Sequence, residues 1–310
     1  MLISHNLVAG RLKKIKSFGN NQGNLNCYLY IPKNYTNTAP LVVALHGCNQ
    51  SVEGMAYESE WNKIAEQYGF IVLYPSQKVT NNPSRCFNWF EKSDTQKNSG
   101  ESASIIAMID YVIATYSIDT SKIYVYGLSA GAVMSVALLA NYPAYFKAGA
   151  VYSGCPYNAI DNPLQALNMM KNSTQKSAYD LAQEIVKINT DTNTSYPKLV
   201  VLHGKKDRIN TIKNAYILIN EWAYLCNTDT IVDNIEFNYE KIELSRKVYQ
   251  DKSKNEKIVF YEFENTGHWI SVNPGIANNQ GGQAGLFAHD DDFFSTYWIA
   301  KEFELITEKK

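Results

Sequence analysis

The chain has 310 residues, enough for one large domain or two small ones, and it is 45% hydrophobic and 19% charged, which excludes an intrinsically disordered protein. Its 29 basic and 30 acidic residues give a net charge of −1, with no long run of either sign to attract a nucleic-acid backbone or an anionic membrane. We therefore expect a neutral or weakly charged molecule as the partner, and no nucleic acid.

The strands and helices predicted from hydrophobic patterning alternate along the chain. Strands are predicted at residues 24–31 (a sheet edge), 41–45, 70–74 (ended by Pro75), the run before Ser129, 148–152, 199–202 and 258–263. Helices are predicted at 61–68, from near Ser102, after Ser129, and at about 293–303. This alternation predicts an α/β fold, with a mostly parallel central sheet and helices on both faces.

The domain organisation predicted from the sequence is one domain covering residues 1–310, since no repeat or Pro/Gly/Ser-rich linker divides the chain. Two segments fit the alternation poorly. Residues 158–197 are polar and partly helical, and we expect an insertion that overhangs the site as a small cap. Residues 227–255 are charged and are expected to form a hairpin excursion.

Neither a membrane span nor a metal site is indicated by the sequence. No segment approaches the roughly 18 consecutive apolar residues that cross a bilayer. The first 18 residues have no continuous apolar core before a small-residue cleavage site, so they are not expected to be a signal peptide as they stand. The five cysteines are too few for a disulfide framework and lack the paired spacing of metal ligands.

The segment KIYVYGLSAGAVM, residues 122–134, is the most informative part of the chain. An apolar β-branched run reaches Gly-Leu-Ser-Ala-Gly and continues into helix-forming residues, which is the pattern of a nucleophile elbow. Gly127 and Gly131 have no side chain where that turn is most crowded, so Ser129 can project its hydroxyl above the sheet. Ser129 is the predicted nucleophile, and the alternative is an ordinary strand-to-helix turn.

A serine nucleophile needs a base and a group that orients the base, and in this kind of fold the acid precedes the histidine. Asp207 follows the predicted strand at 199–202, and His268 follows the one at 258–263. We assign His268 as the general base and Asp207 as its orienting acid. The alternatives are a turn or capping role for Asp207, with Asp229 or Asp233 as weaker acids, and a surface-loop role for His268.

The oxyanion of an acyl-transfer reaction needs two backbone donors. The N–H of Ala130, next to the nucleophile, is one candidate. The N–H of Cys48, in the loop LHGCNQ after the first buried strand, is the other. His46 and His203, each in a strand-end LHG, are expected to be packed or turn-supporting residues.

Aromatic residues near these loops are candidates for an apolar acyl or aryl pocket. Trp89 and Phe87 in the run CFNWF could line it, or could simply anchor a hydrophobic loop. Trp269, next to the base, is a further candidate. The acidic residues after His289 are expected to form the first turn of the last helix rather than a metal site.

Ordered motifs extend this interpretation over much of the chain: YIPKNY, PLVVALHGCNQS, WNKIAEQYGFIVLYPSQ, CFNWF, GESASIIAMIDYV, IDTSKIYVYGLSAGAVMS and AGAVYSGCPY. In these motifs the chain resembles the esterase family of polyhydroxybutyrate depolymerases, which includes feruloyl and acetylxylan esterases. The resemblance implies an α/β-hydrolase fold and a triad of Ser129, Asp207 and His268, without metal or organic cofactor. It also implies a disulfide between Cys48 and Cys86, and with it an extracellular or periplasmic location, the alternative being the cytoplasm.

The sequence also departs from the family pattern. The histidine loop reads GHWISVNPG, without the residue that commonly separates His and Trp, and Ala132 replaces a common glycine. The chain ends too soon for the linker and substrate-binding domain that extracellular polymer depolymerases usually add, so small or amorphous esters are expected rather than crystalline granules.

The predicted function is that of a serine carboxylic-ester hydrolase of the polyhydroxybutyrate depolymerase type. It would cleave short hydroxyalkanoate or similar esters through an acyl-enzyme. The alternative is a feruloyl or acetylxylan esterase acting on plant cell-wall esters. A more remote alternative is a catalytically silent hydrolase-like binding module.

Overall fold

A ten-stranded mixed sheet organises the residues that the computed structural model describes, which are 12–35, 38–191 and 193–306. Its strands, in chain order, are β1 (Lys13–Ile15), β2 (Asn26–Tyr30), β3 (Ala39–Leu45), β4 (Ile71–Ser76), β5 (Ile118–Leu128), β6 (Ala148–Tyr152), β7 (Lys198–Gly204), β8 (Asn234–Phe237), β9 (Leu244–Gln250) and β10 (Glu256–Phe263). Two further short strands, β11 (Ile270–Val272) and β12 (Ala288–Asp290), pair with each other in parallel.

The strand order is β1-β2-β4-β3-β5-β6-β7-β10-β9-β8. The six strands from β4 to β10 run parallel, and antiparallel strands flank them on both sides. The central strands are buried along most of their length, which explains why their sequences are continuous apolar runs. The carboxyl ends of the parallel strands therefore meet along one edge, where ligands of open α/β sheets bind.

Helices cover both faces of the sheet, and each face has its own apolar core. On one face lie Ile109, Leu138 and Leu218, and on the other lie Trp61 and Ile299. The helices are α1 (Val52–Ser59), α2 (Trp61–Tyr68), α3 (Lys92–Thr95), α4 (Gly100–Thr115), α5 (Ala130–Asn141), α6 (Ala166–Asn172), α7 (Ala178–Ile188), α8 (Lys213–Cys226) and α9 (Ser295–Glu302), with short 3-10 turns at Pro143–Tyr145, Pro163–Gln165 and Tyr239–Lys241. The predicted alternation and the mostly parallel sheet with helices on both faces are confirmed.

Two details of the strand prediction are wrong. The strand predicted at the sheet edge is β2, which is not at the edge because β1 pairs along its outer side. The strand expected to end before Pro75 is β4, and it continues through Pro75 to Ser76. At Pro75 the strand pairs with β2 alone, because its pairing with β3 covers only Ile71 to Leu73, and a proline is tolerated where a strand has a single neighbour.

The two segments that fit the alternation poorly differ in structure. Residues 158–197 contain α6 and α7 and lie between β6 and β7, beside the carboxyl ends of the strands. Residues 227–255 contain β8 and β9, an antiparallel pair that extends the central sheet at the β10 side. No helix among the described residues is long and apolar enough to cross a membrane.

Candidate active site

Four loops at the carboxyl edge of the sheet bring the predicted site residues together. Cys48 follows β3, Ser129 follows β5, Asp207 follows β7 and His268 follows β10. These residues are up to 220 positions apart in the chain (48 to 268), and the parallel arrangement of their strands brings them to one edge. The fold thus produces a compact cluster from separate loops.

The turn at Ser129 has the strained backbone of a nucleophile elbow. Ser129 has φ 53° and ψ −117°, a conformation that costs a non-glycine residue about 1–3 kcal/mol, and its N–H donates to the carbonyl of Tyr152 at 2.9 Å. A Cβ on Gly127 would overlap the Gly131 carbonyl, and one on Gly131 would overlap the Leu45 carbonyl. Both glycines are therefore required for the tight approach of β5, α5 and β3.

Ser129, His268 and Asp207 form a continuous hydrogen-bonded chain. His268 Nε2 lies 2.8 Å from Ser129 Oγ, and His268 Nδ1 lies 2.7 Å from Asp207 Oδ2. Because a carboxylate can only accept, Nδ1 carries the proton and the Nε2 lone pair faces the serine hydroxyl. This arrangement allows His268 to remove the serine proton.

Asp207 is held ionised and fixed in orientation. Burial alone would raise its pKa, but hydrogen bonds from His203 and His268 reverse the direction and hold the pKa below its usual range. Its second oxygen, Oδ1, accepts the N–H groups of Ile209 at 2.9 Å and Asn210 at 2.8 Å. The carboxylate that bonds to His268 is thus anchored at both oxygens.

The loop that carries His268 is braced by Asp291. Its Oδ2 accepts the indole N–H of Trp269 at 3.0 Å and the hydroxyl of Ser271 at 2.8 Å. Asp291 follows β12, and α9 begins only at Ser295 with no acidic residue in its first turn. The prediction that these acidic residues open the last helix is therefore wrong, because the parallel pairing of β11 and β12 extends this segment.

Two backbone N–H groups lie beside Ser129 without an acceptor among the described residues. Ala130 is the first residue of α5, where the N–H has no intrahelical partner and the helix dipole favours negative charge. In the loop after β3 the N–H groups of Gly47, Asn49 and Gln50 are all bonded, and that of Cys48 is not. Ala130 and Cys48 both line the same cavity as Ser129.

A disulfide joins Cys48 to Cys86, 38 positions later in the chain. It connects the loop after β3 to the aromatic loop CFNWF. The remaining cysteines, Cys27, Cys155 and Cys226, are free. The disulfide that the family resemblance implied is therefore present.

A cavity of about 490 Å³ opens above Ser129, and its lining is mainly apolar. The serine and His268 lie at one side of it, and no carboxylate or ammonium group is part of the lining. The lining residues are Gly47, Cys48, Asn49, Cys86, Trp89, Phe90, Leu128, Ser129, Ala130, Pro163, Leu164, Ala166, Leu167, Met170, Ile209, His268 and Phe287. Such a site suits an uncharged, largely apolar substrate.

The three aromatic residues proposed for substrate binding occupy different positions. Trp89 lines the cavity together with its neighbour Phe90. Phe87 is fully buried, packs against His46 with ring centroids 4.9 Å apart, and is not part of the lining. Trp269 is also absent from the lining, and its ring packs against that of His289 with centroids 5.2 Å apart.

Several lining residues were not predicted from the sequence. Leu164, Leu167 and Met170 come from the segment containing α6, and Phe287 comes from the loop before β12. Leu164 and Leu167 remain 94% and 75% exposed, so they form an apolar rim at the cavity mouth. The sequence shows only that apolar residues occur within an otherwise polar insertion, and this does not say which of them face the cavity.

Comparison with known proteins identifies the family of the chain. The family model "Esterase PHB depolymerase" matches residues 25–233. Poly(3-hydroxyalkanoate) depolymerase C of Paucimonas lemoignei is 33% identical over 302 residues, covering 95% of this chain and 70% of the relative. Feruloyl esterase B of Talaromyces funiculosus is 29% identical over 277 residues, covering 87% of this chain and 76% of the relative.

Among solved structures, the acetyl xylan esterase from Aspergillus awamori superposes with a TM-score of 0.77 at 27% identity, covering 84% of this chain and 94% of that one. The resemblance inferred from the sequence motifs is confirmed, and so is the predicted α/β-hydrolase fold. The chain belongs to the esterase PHB depolymerase family and is a carboxylic-ester hydrolase.

Proposed function

We propose that this esterase cleaves short hydroxyalkanoate or similar apolar esters through an acyl-enzyme on Ser129. The observation that carries the proposal is the position of Ser129 Oγ, 2.8 Å from His268 Nε2 at the wall of an apolar cavity of about 490 Å³. The cavity has room for an acyl chain of several carbons, and its lining offers no charged partner for an acidic or basic substrate. The depolymerase relative acts on a poly(3-hydroxyalkanoate), as its name states.

In the acylation step, His268 Nε2 accepts the Ser129 proton while Oγ forms a bond to the ester carbonyl carbon. The carbonyl oxygen becomes an oxyanion, which the N–H groups of Ala130 and Cys48 stabilise. Ionised Asp207 stabilises the imidazolium. The carbon–oxygen bond to the alcohol then breaks, and the alcohol leaves with the proton from His268.

In the deacylation step, water occupies the place of the alcohol. His268 accepts a proton from the water as its oxygen bonds to the acyl carbon, and a second oxyanion forms at the same two N–H groups. Collapse of this intermediate breaks the bond to Ser129 Oγ, which regains its proton from His268. The acid is released and the enzyme returns to its starting state.

A second candidate is the hydrolysis of plant cell-wall esters. Two observations favour it: the superposition on an acetyl xylan esterase over 94% of that chain, and the aromatic wall formed by Trp89 and Phe90, which could receive a phenolic acid. The exposed Leu164 and Leu167 favour the hydroxyalkanoate instead, because an apolar rim suits a polyester chain better than a hydrated polysaccharide.

Two further elements of the proposal concern the segment 158–197 and the compartment. We propose that this segment acts as a cap within a single catalytic domain, since Leu164, Leu167 and Met170 supply one wall of the cavity. We also propose an extracellular or periplasmic location, because the Cys48–Cys86 disulfide persists in oxidising compartments.

The test measures clearing of an amorphous polyhydroxybutyrate suspension by the wild type, with Ser129→Ala as the blank. Hydrolysis of p-nitrophenyl butyrate, methyl ferulate and acetylated xylan is measured in parallel. Clearing by the wild type alone supports both the nucleophile and the polyester substrate. Faster turnover of methyl ferulate or acetylated xylan without clearing would favour the second candidate. Retained activity in Ser129→Ala, or wild type that a fluorophosphonate probe does not label, would contradict the assigned nucleophile.

A further inference from the structure

His46 is a buried histidine directly behind the loop that carries Cys48, and it is outside the hydrogen-bonded triad. Its side chain is 1% exposed, and each ring nitrogen takes part in one hydrogen bond. Nδ1 lies 2.8 Å from the carbonyl oxygen of Gly47, and Nε2 lies 3.1 Å from the backbone N–H of Gln77. Its ring also packs against Phe87.

These two partners fix the tautomer of His46. A backbone N–H can only donate, so Nε2 must be an unprotonated acceptor for Gln77. Nδ1 therefore carries the proton and donates to Gly47. Burial, with a smaller contribution from the charge of Arg85, lowers the pKa of His46 to about 4, although the bond to Gly47 acts in the opposite direction. The ring is thus neutral at ordinary pH.

The carbonyl that His46 holds belongs to the same peptide unit as the Cys48 N–H. A peptide unit is planar and trans, so its C=O and N–H point in opposite directions and rotate together. No cis peptide bond is present among the described residues. A hydrogen bond that pulls the Gly47 oxygen toward the protein interior therefore turns the Cys48 N–H toward the opposite side, where Cys48 lines the cavity beside Ser129.

We propose that His46 is a positioning residue for ester hydrolysis, which orients the Gly47–Cys48 peptide plane and so aims the Cys48 N–H at the oxyanion. The inference rests on the proposed function, since it takes the Cys48 N–H as an oxyanion donor. His46 does not touch the substrate, and its effect passes through the backbone of one peptide unit.

The anchor of this arrangement is Gln77, at the end of β4. Its side-chain amide N–H groups donate to the Cys86 carbonyl at 3.0 Å and to the buried carboxyl group of Glu101, and its Oε1 accepts the N–H of Lys78 at 2.9 Å. With so many bonds Gln77 has little freedom to rotate. It therefore ties His46 both to the sheet and to the loop at the other end of the disulfide.

A second contact holds Gly47 at its backbone N–H. The N–H of Gly47 donates to Gln50 Oε1 at 3.0 Å, and the side-chain amide of Gln50 donates to Glu58 at 2.6 Å. Gly47 is therefore held at its N–H by the Gln50 side chain, and at its carbonyl by His46 at 2.8 Å and by the Gln50 backbone N–H at 3.3 Å. Loss of the His46 bond removes the shorter of the two contacts that orient the peptide plane containing the Cys48 N–H.

A matched pair of variants separates the two hydrogen bonds of His46. His46→Asn keeps an amide donor near the position of Nδ1 and loses the acceptor for Gln77. His46→Gln keeps an acceptor near the position of Nε2 and loses the donor to Gly47. We expect kcat on p-nitrophenyl butyrate to fall about 10- to 100-fold in His46→Gln and within about 5-fold in His46→Asn, with KM little changed in either, because oxyanion contacts act in the transition state.

A thionoester substrate supplies a readout that a purely structural role would not move. Sulfur accepts hydrogen bonds poorly, so an intact oxyanion hole favours the oxygen ester strongly. His46→Gln should lose part of this preference, and His46→Asn should keep it. Equal losses of kcat in the two variants, or an unchanged oxygen-to-sulfur preference in His46→Gln, would overturn the proposal.

Failure of the inference is distinguishable from failure of the proposed function. Wild type that hydrolyses p-nitrophenyl butyrate in a Ser129-dependent way, with no difference between the two His46 variants, refutes the inference alone. If near-ultraviolet circular dichroism shows that either variant does not fold, ¹⁵N NMR of the His46 ring nitrogens in the wild type still tests the inference. A protonated Nδ1 and an unprotonated Nε2 are expected, and the reverse tautomer would overturn the proposal.

Discussion

The disulfide between Cys48 and Cys86 is predicted to stabilise the fold by an amount that follows from the length of the loop it closes. The bridge closes a loop across a sequence separation of 38 residues. In the chain-entropy model, loop closure of this length lowers the entropy of the unfolded chain enough to stabilise the fold by about 4 kcal/mol. Removing the bridge with Cys86→Ser should therefore lower the free energy of unfolding by about 2–5 kcal/mol, the usual range for a native disulfide.

The assay is urea unfolding of the wild type and Cys86→Ser, each without and with reductant. The wild type should lose stability when reduced, while Cys86→Ser should be equally unstable in both conditions. Cys226→Ser, which removes a free cysteine, should keep the response of the wild type to reductant. A wild-type midpoint that does not move with reductant would refute the reasoning, and so would five rather than three titratable thiols in denatured, unreduced protein.

Three further predictions follow from the site. Asp207→Asn should lower kcat by roughly 10⁴-fold without unfolding the protein, because the amide favours the wrong tautomer of the base; a loss under tenfold would contradict the orienting role. Gly131→Ala should abolish soluble, active protein, since its Cβ would overlap the Leu45 carbonyl, and a stable active variant would contradict the described turn. The pKa of buried His46 is about 4, against 6.5 in an unfolded chain, so the neutral ring stabilises the fold fully above pH 6.5. This contribution is lost as the pH falls from 6.5 toward 4, by about 3 kcal/mol at most. Urea unfolding at pH 6.5 and at pH 4 should show this loss in the wild type and not in His46→Asn.

The triad residues could be located from the sequence because each follows a strand of clear apolar pattern. Parallel strands bring their carboxyl ends to one edge, so a serine, an acid and a histidine in the right chain order were expected to meet there. The structure brings Ser129 Oγ, His268 and Asp207 within hydrogen-bonding distance. Their catalytic roles remain predictions until the variants are measured.

The cavity walls could not be predicted in the same way, because loops have no fixed side-chain period. Phe87 and Trp89 are two residues apart in one loop, yet Phe87 packs inward on His46 while Trp89 lines the cavity. In a strand this spacing would place both side chains on one face. The apolar rim formed by Leu164 and Leu167 depends on how the segment 158–197 folds back, which its local pattern does not determine.

The role of Asp291 could not be predicted from the sequence for a different reason. Three consecutive aspartates before an aromatic helix suggest a helix N-terminus, where carboxylates are favoured by the helix dipole. In the structure β12 pairs with β11, and this pairing places Asp291 against Trp269 and Ser271 beside the loop that carries His268. Long-range strand pairing of two three-residue strands leaves almost no trace in sequence patterning.

The position of Ser129 relative to the candidate oxyanion donors is set by backbone contacts rather than by side chains. Gly131, in the first turn of α5, approaches the carbonyl groups of Leu45 and His46 so closely that a methyl group there would overlap both. The helix that begins at Ala130 thus packs directly on the strand end that leads into the Gly47–Cys48 peptide. Because one backbone contact joins both donor segments, a shift of either loop would change the distance between the two N–H groups. A disulfide at Cys48, the buried His46 and the buried Gln50 add further contacts to this segment within five residues, so the backbone contact is not the only interaction that holds it in place.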